Sequence, residues 1–216
     1  MPVPSRIQSH LRYPLTGLFG SPGNVRVLRA LAVQQAPQSA PQLASEAGLT
    51  PQGARLVLDT LVRQRLVTAH GAGRARLYVL NASHPLAASV EALFRDEHGR
   101  WEGLLEAIRT ALRRHGAAVS AAWLYGSVAR GEDAPASDLD IALVVRSQAV
   151  AEKIREELAA LEDAQHVHLS LTALTPQELA ALPEDDRWWR GVVRDGRVLH
   201  GPAPAQARRR IAKAAA

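Results

Sequence analysis

The sequence contains no cysteine, which excludes disulfide bridges and any thiolate-held zinc. No apolar run approaches the roughly 18–20 residues needed to cross a bilayer. The opening residues, Met-Pro-Val-Pro-Ser-Arg, lack the apolar stretch of a signal peptide. The expected setting is therefore the cytoplasm, with no membrane partner. Acidic side chains are scarce at one end. Residues 1–80 hold only Glu46 and Asp59 against nine arginines, a balance of +7, whereas the rest carries 17 basic and 19 acidic residues, a balance of −2. Such segregation points to a polyanion partner for the first part, and arginine's planar fork suits phosphates and guanine edges. What remains is ordinary for a globular protein: 216 residues, 47% hydrophobic and 22% charged, enough for one large domain or two small ones.

Residues 1–21 are rich in proline and polar side chains and read as a lead-in closed by Gly20-Ser-Pro-Gly23. Asn24 is the expected cap of a helix to about Val33, with Val25, Val27, Leu28, Leu31 and Ala32 as its apolar stripe. Ser39-Ala-Pro41 opens a short helix over 42–47, stopped by Gly48. Thr50-Pro51 is a cap followed by proline in the first turn, starting a third helix to about Arg65. Residues 66–69 and 76–80 read as strands around a basic tip at 70–74. Helix, short helix, turn, helix and basic hairpin is the layout of a winged helix-turn-helix. The segment 42–55, Gln-Leu-Ala-Ser-Glu-Ala-Gly-Leu-Thr-Pro-Gln-Gly-Ala-Arg, resembles that family's turn and the start of its recognition helix. The resemblance implies double-stranded DNA as partner, with Gln52 and Arg55 at base edges, Arg63 and Arg65 nearer phosphate, and Arg74 and Arg76 on the wing.

Residues 84–117 read as a helical linker. One stripe is Leu86, Val90, Leu93 and Phe94, the other is Trp101, Leu104, Leu105, Ile108 and Leu112, and Gly99 is the expected break between them. An amphipathic helix of this kind also suits the homodimer that palindromic DNA sites require.

The most informative stretch is Leu124 to Ile141. A Gly126-Ser127 turn follows the apolar run Ala121-Ala-Trp-Leu-Tyr125, and ten residues later Asp138 and Asp140 open a second apolar run, Ile141-Ala-Leu-Val-Val145. On a strand, residues two apart share a face, so the two carboxylates form a hard-oxygen site for Mg²⁺ or Mn²⁺. The Gly-Ser turn supplies backbone N–H groups and a hydroxyl suited to phosphate oxygens. Gly126, Ser127, Ala129, Arg130, Gly131, Ser137, Asp138 and Asp140 together resemble the signature of the DNA polymerase β-like nucleotidyltransferases. The likeness is greatest to the minimal nucleotidyltransferase (MNT) branch.

The resemblance implies transfer of a nucleoside monophosphate from a metal-bound NTP to an acceptor hydroxyl, with pyrophosphate leaving. Asp138 and Asp140 would hold the metal, and Gly126 and Ser127 the β- and γ-phosphates. Arg130 would offset phosphate charge or tether the loop to an acid, and Ser137 would cap the turn that aims Asp138. The family's third carboxylate belongs on the next strand, but that strand, His166-Val-His-Leu-Ser-Leu-Thr172, has no acid. His168 or Ser170 falls in its place, according to register, and His168 is the candidate base; Glu132 and Asp133 are loop acids nearby.

The expected class is α+β. A winged helix-turn-helix spans 1–83, a helical linker 84–117, and a small α/β nucleotidyltransferase domain with a mixed sheet and basic tail 118–216. Three functions compete. They are a DNA-binding nucleotidyltransferase, a winged-helix transcriptional regulator with a weak or inactive nucleotide-binding domain, and an MNT-type antitoxin paired with a HEPN-type toxin.

Overall fold

Capping residues set most of the element starts in the computed structural model, which describes residues 14–215 except the side chains of Arg74 and Ala215. The expected lead-in over 1–13 lies outside the described residues. The chain divides into two units, residues 1–100 and 101–216.

The first unit contains α1 (Leu15–Leu18), α2 (Pro22–Gln34), β1 (Gln38–Ser39), α3 (Ala40–Glu46), α4 (Pro51–Arg63), β2 (Val67–His70) and β3 (Leu77–Leu80). Helix α2 is capped by Ser21 rather than Asn24: Ser21 Oγ accepts from the Asn24 N–H at 3.1 Å. The Asn24 side chain instead turns back and donates to the Gly17 carbonyl at 2.9 Å. Ser39 and Gln42 form a reciprocal capping box at α3, and Thr50 caps α4 ahead of Pro51. Between these helices the chain reverses at Gly48, whose φ of +59° suits glycine. Strand β1 was not foreseen, because two residues carry no periodicity; it pairs antiparallel with β3, giving the order β1-β3-β2.

Leu28, Leu31, Leu43, Leu58, Leu61 and Leu66 fill this unit's core. Helix α5 (Ala87–Arg114) contributes Ala87, Val90 and Phe94 to it. Gly99 does not break α5. A glycine costs about 1 kcal/mol within a helix, and the apolar stripes on both sides outweigh that.

The second unit continues with β4 (Val119–Tyr125), α6 (Gly126–Arg130), β5 (Leu139–Val145), α7 (Gln148–Gln165), β6 (Leu169–Leu174), α8 (Pro176–Ala181), α9 (Arg187–Asp195), β7 (Arg197–His200) and α10 (Pro204–Ala215). Its sheet runs β6-β5-β4-β7, with β5 and β6 parallel and the other pairs antiparallel, so it is mixed as expected.

Alternation along the strands gives this sheet two different faces. One carries Leu139, Ile141, Leu143 and Val145 against Leu104, Ile108 and Leu112 of α5 and Ile154 and Leu158 of α7. The other carries Ala121, Trp123, Ala142 and Val144 against Leu179 of α8, Trp189 and Val192 of α9, and Ala207 of α10. The expected basic tail is thus a docked helix: Ala207 is buried and Ile211 packs on the same core. Among the described residues, no helix is long and apolar enough to cross a membrane.

Candidate functional site

The second face loses its apolar character at one end. Asp140 sits on β5 between Tyr125 of β4 and Ser170 of β6. Asp138 precedes the strand and is exposed, whereas Asp140 is half-buried. Ser137 supports the turn into them: its Oγ accepts from the Ala134 N–H and its own N–H donates to the Ala134 carbonyl, both at 2.9 Å.

Gly126 lies directly against Asp140. Its φ is +79°, and a Cβ added there would overlap the Asp140 carboxylate. The Gly-Ser turn and the Asp-x-Asp pair, ten residues apart in sequence, are therefore pressed together, and only glycine allows it. Ser127 follows in the first turn of α6.

Burial raises the pKa of Asp140 above the ordinary aspartate value, and the Asp138 charge adds to the rise; a hydrogen bond from Ser170 and the Arg130 charge oppose it. Two neighbouring carboxylates form a hard-oxygen donor set whose chemistry fits a divalent cation. Among the described residues, no group of three or more His, Asp or Glu side chains is arranged to hold a metal ion.

Register decides what stands beside Asp140 on β6. Asp140 pairs with Ser170, so the hydroxyl occupies the place where the sequence left His168 and Ser170 as alternatives. His168 lies one residue before β6, is exposed, and accepts from the Leu139 N–H through its backbone carbonyl at 2.8 Å.

Arg130 is held by acids. Its Nε donates to Glu132 at 2.7 Å and its Nη1 to Asp195 at 2.6 Å. The Asp195 side chain is only 5% exposed and also accepts from Arg194 Nε at 2.7 Å. The Arg194 hydrogen bond, seconded by Arg130, pulls the Asp195 carboxyl far below the usual aspartate range. Of the two roles expected for Arg130, the geometry shows the tether, joining α6 to the end of α9. Glu132, a loop acid considered for the missing ligand, is taken up by the same guanidinium.

Beside Asp140, reached through its strand partner Tyr125, stands an aromatic group. Trp189 is buried, edge-on to Trp123 with ring centroids 5.7 Å apart. Trp188 is half-buried and donates through Nε1 to the Tyr125 hydroxyl at 2.9 Å. That hydroxyl also lies 3.4 Å from Thr172 Oγ1 on β6. No local signal in the sequence joins Tyr125 to Trp188, 63 positions away.

In the first unit, Gln52, Arg55 and Arg63 lie exposed on α4, and Arg63 Nη2 donates to Thr60 Oγ1 at 3.1 Å. Arg76 is exposed, its guanidinium 5.6 Å from the centre of the Tyr78 ring. The Arg74 side chain lies outside the described residues.

Residues 106–181 match the family model described as "Polymerase beta, Nucleotidyltransferase". No curated protein matches the chain. Among solved structures it is similar to a toxin–antitoxin with AMP-PNP, at 20% identity and a TM-score of 0.38 over 51% of this chain and 86% of the other. It is also similar to a mutant of the toxin–antitoxin MntA-HpeT, at 18% identity and a TM-score of 0.38, with the same coverage. A third likeness is to human N-acetylserotonin methyltransferase, at 18% identity and a TM-score of 0.27, over 50% of this chain and 37% of the other.

Proposed function

From a nucleotidyltransferase domain of the polymerase β type in residues 106–181, we propose that this protein transfers a nucleoside monophosphate from an NTP to an acceptor hydroxyl. The observation that carries the reading is Asp140 packed on Gly126 with Asp138 beside it: a paired carboxylate and a phosphate-binding turn in one place. The acceptor oxygen bonds to the α-phosphorus, the bond from that phosphorus to the bridging oxygen breaks, and pyrophosphate leaves. A divalent cation, Mg²⁺ or Mn²⁺, would neutralise phosphate charge and lower the acceptor's pKa. Asp138 and Asp140 would hold it, and the Gly126 N–H and Ser127 hydroxyl would orient the β- and γ-phosphates; Arg130 fixes α6 through Asp195. His168 is the candidate to take the acceptor's proton.

The first unit's part in this reading is DNA binding. Helices α2, α3 and α4 followed by a hairpin, with a short strand paired to it, support a winged helix within residues 1–83. The exposed Gln52, Arg55 and Arg63 on α4, with Arg76 near the hairpin, are the side chains that would meet duplex. A homodimer would read a palindromic site.

One observation favours a second reading. Ser170, a neutral side chain, pairs with Asp140 where the resemblance implies an acid, and this suits a nucleotide-binding regulator without turnover.

Transfer from each α-labelled NTP, with Mg²⁺ or Mn²⁺, into the protein and RNA of a cell extract tests both. The Asp138→Asn/Asp140→Asn variant is the control. A labelled acceptor that disappears in the variant establishes the enzyme. If that acceptor is a small helical protein, the pair is toxin and antitoxin. Metal-dependent NTP binding without transfer selects the regulator, and absence of both rejects nucleotide chemistry at this site.

A further inference from the structure

The charge of the second unit is sharply segregated. Residues 101–186 carry seven basic and fifteen acidic side chains, a balance of −8, whereas residues 187–216 carry eight basic and one acidic, a balance of +7. On α9, Arg187, Arg190 and Arg194 recur at helical spacing and so form one stripe, opposite the buried Trp189 and Val192. On α10, Ala207 faces the core and leaves Arg209, Arg210 and Lys213 exposed.

Between α8, α9 and α10 lies a cleft of about 750 Å³, lined by Arg190, Arg194, Arg208, Trp189, Val193 and Glu184 among others. Among the described residues, Arg194 is the one of its three cations with an acid for a partner: it shares Asp195 with Arg130. Arg208 donates to the Leu182 carbonyl, a neutral group. The cleft is therefore positive even after Glu184 is counted. It opens on helices that pack on the same sheet face as Asp140, and Arg194, Asp195 and Arg130 link its wall directly to α6.

We infer that this cleft binds the phosphodiester backbone of a single nucleic-acid strand, and that the strand is the acceptor of the proposed transfer. The inference rests on the transferase reading for the second clause only. Charge complementarity selects a polyanion. A cleft of this size takes one backbone rather than the width of a duplex, and arginine forks match phosphate geometry. The net charge of −8 over residues 101–186 makes the arginine-rich face the favoured one on this unit for a polyanion.

The test is fluorescence anisotropy of the full-length protein with a labelled single-stranded RNA of about 20 nucleotides, across a salt series without NTP or divalent metal. Arg190→Gln alters an exposed side chain that lines the cleft. It should weaken binding about threefold and lower the slope of log Kd on log salt by about 0.7, for one contact. Arg55→Gln/Arg76→Gln, in the first unit, should leave strand binding within about twofold. Loss in the first-unit variant alone, unchanged binding by Arg190→Gln, or no strand binding by the unaltered protein overturns the cleft. Label transfer to a protein acceptor unaffected by Arg190→Gln overturns the strand as acceptor. Strand binding that depends on Arg190 without any transfer would uphold the cleft and reject the proposed activity.

Discussion

The two faces of the four-stranded sheet are built from the same strands and do opposite work. Toward α5 and α7 every position of β5 is apolar and buried, from Leu139 to Val145. Toward α8, α9 and α10 the apolar packing stops partway along the strands and gives way to Asp138, Asp140, Ser170, Thr172 and Tyr125. The first face stabilises because burying aliphatic side chains is favourable wherever it happens. The second carries a half-buried carboxylate crowded by a second one, which lowers stability and is typical of functional sites. A residue's face predicts whether replacing it damages the fold or the site.

The largest expected effect is on the apolar face. Ile141 is fully buried, so Ile141→Ala should cost about 2–5 kcal/mol in denaturant unfolding; a cost under about 1 kcal/mol would break the comparison. Next, Gly126→Ala forces a side chain into a left-handed position and against Asp140. It should cost about 1–3 kcal/mol and abolish NTP binding at metal concentrations that saturate the unaltered protein. Trp188→Phe keeps an aromatic side chain but removes the donor to Tyr125, at about 1 kcal/mol, readable as a shifted unfolding midpoint with unchanged slope.

The smallest effect has the opposite sign. Burial and Asp138 hold the Asp140 pKa above its unfolded value. Asp140 therefore favours the fold most when protonated, and that favour is lost as pH rises through its raised pKa. Asp140→Asn without metal should accordingly raise the melting temperature slightly near neutral pH, by roughly 1–3 °C, and lose that advantage in acid. A variant that melts lower at neutral pH would show that the carboxylate is not under strain.

Local signals were the readable part of the sequence. The Ser39 start of α3 and the Thr50-Pro51 start of α4 stand where spacing put them, because a cap acts within four residues. The aspartate pair and the Gly-Ser turn were legible for a similar reason, each being a short motif beside an apolar strand. Ser21 in place of Asn24 shows the limit: two capping residues three apart look equivalent until the Gly17 carbonyl claims one of them.

By itself, then, the sequence determined the α+β class, the strands flanking the signature, and which residues could bear the chemistry, since those follow from period, capping and residue type. The tertiary structure alone decided that Ser170 rather than His168 pairs with Asp140, that Arg130 is bound by Asp195, 65 positions away, and that the arginine-rich C-terminal helix is docked. Each is a contact between elements whose register and approach are set by packing across the sheet, and no local pattern along the chain encodes it.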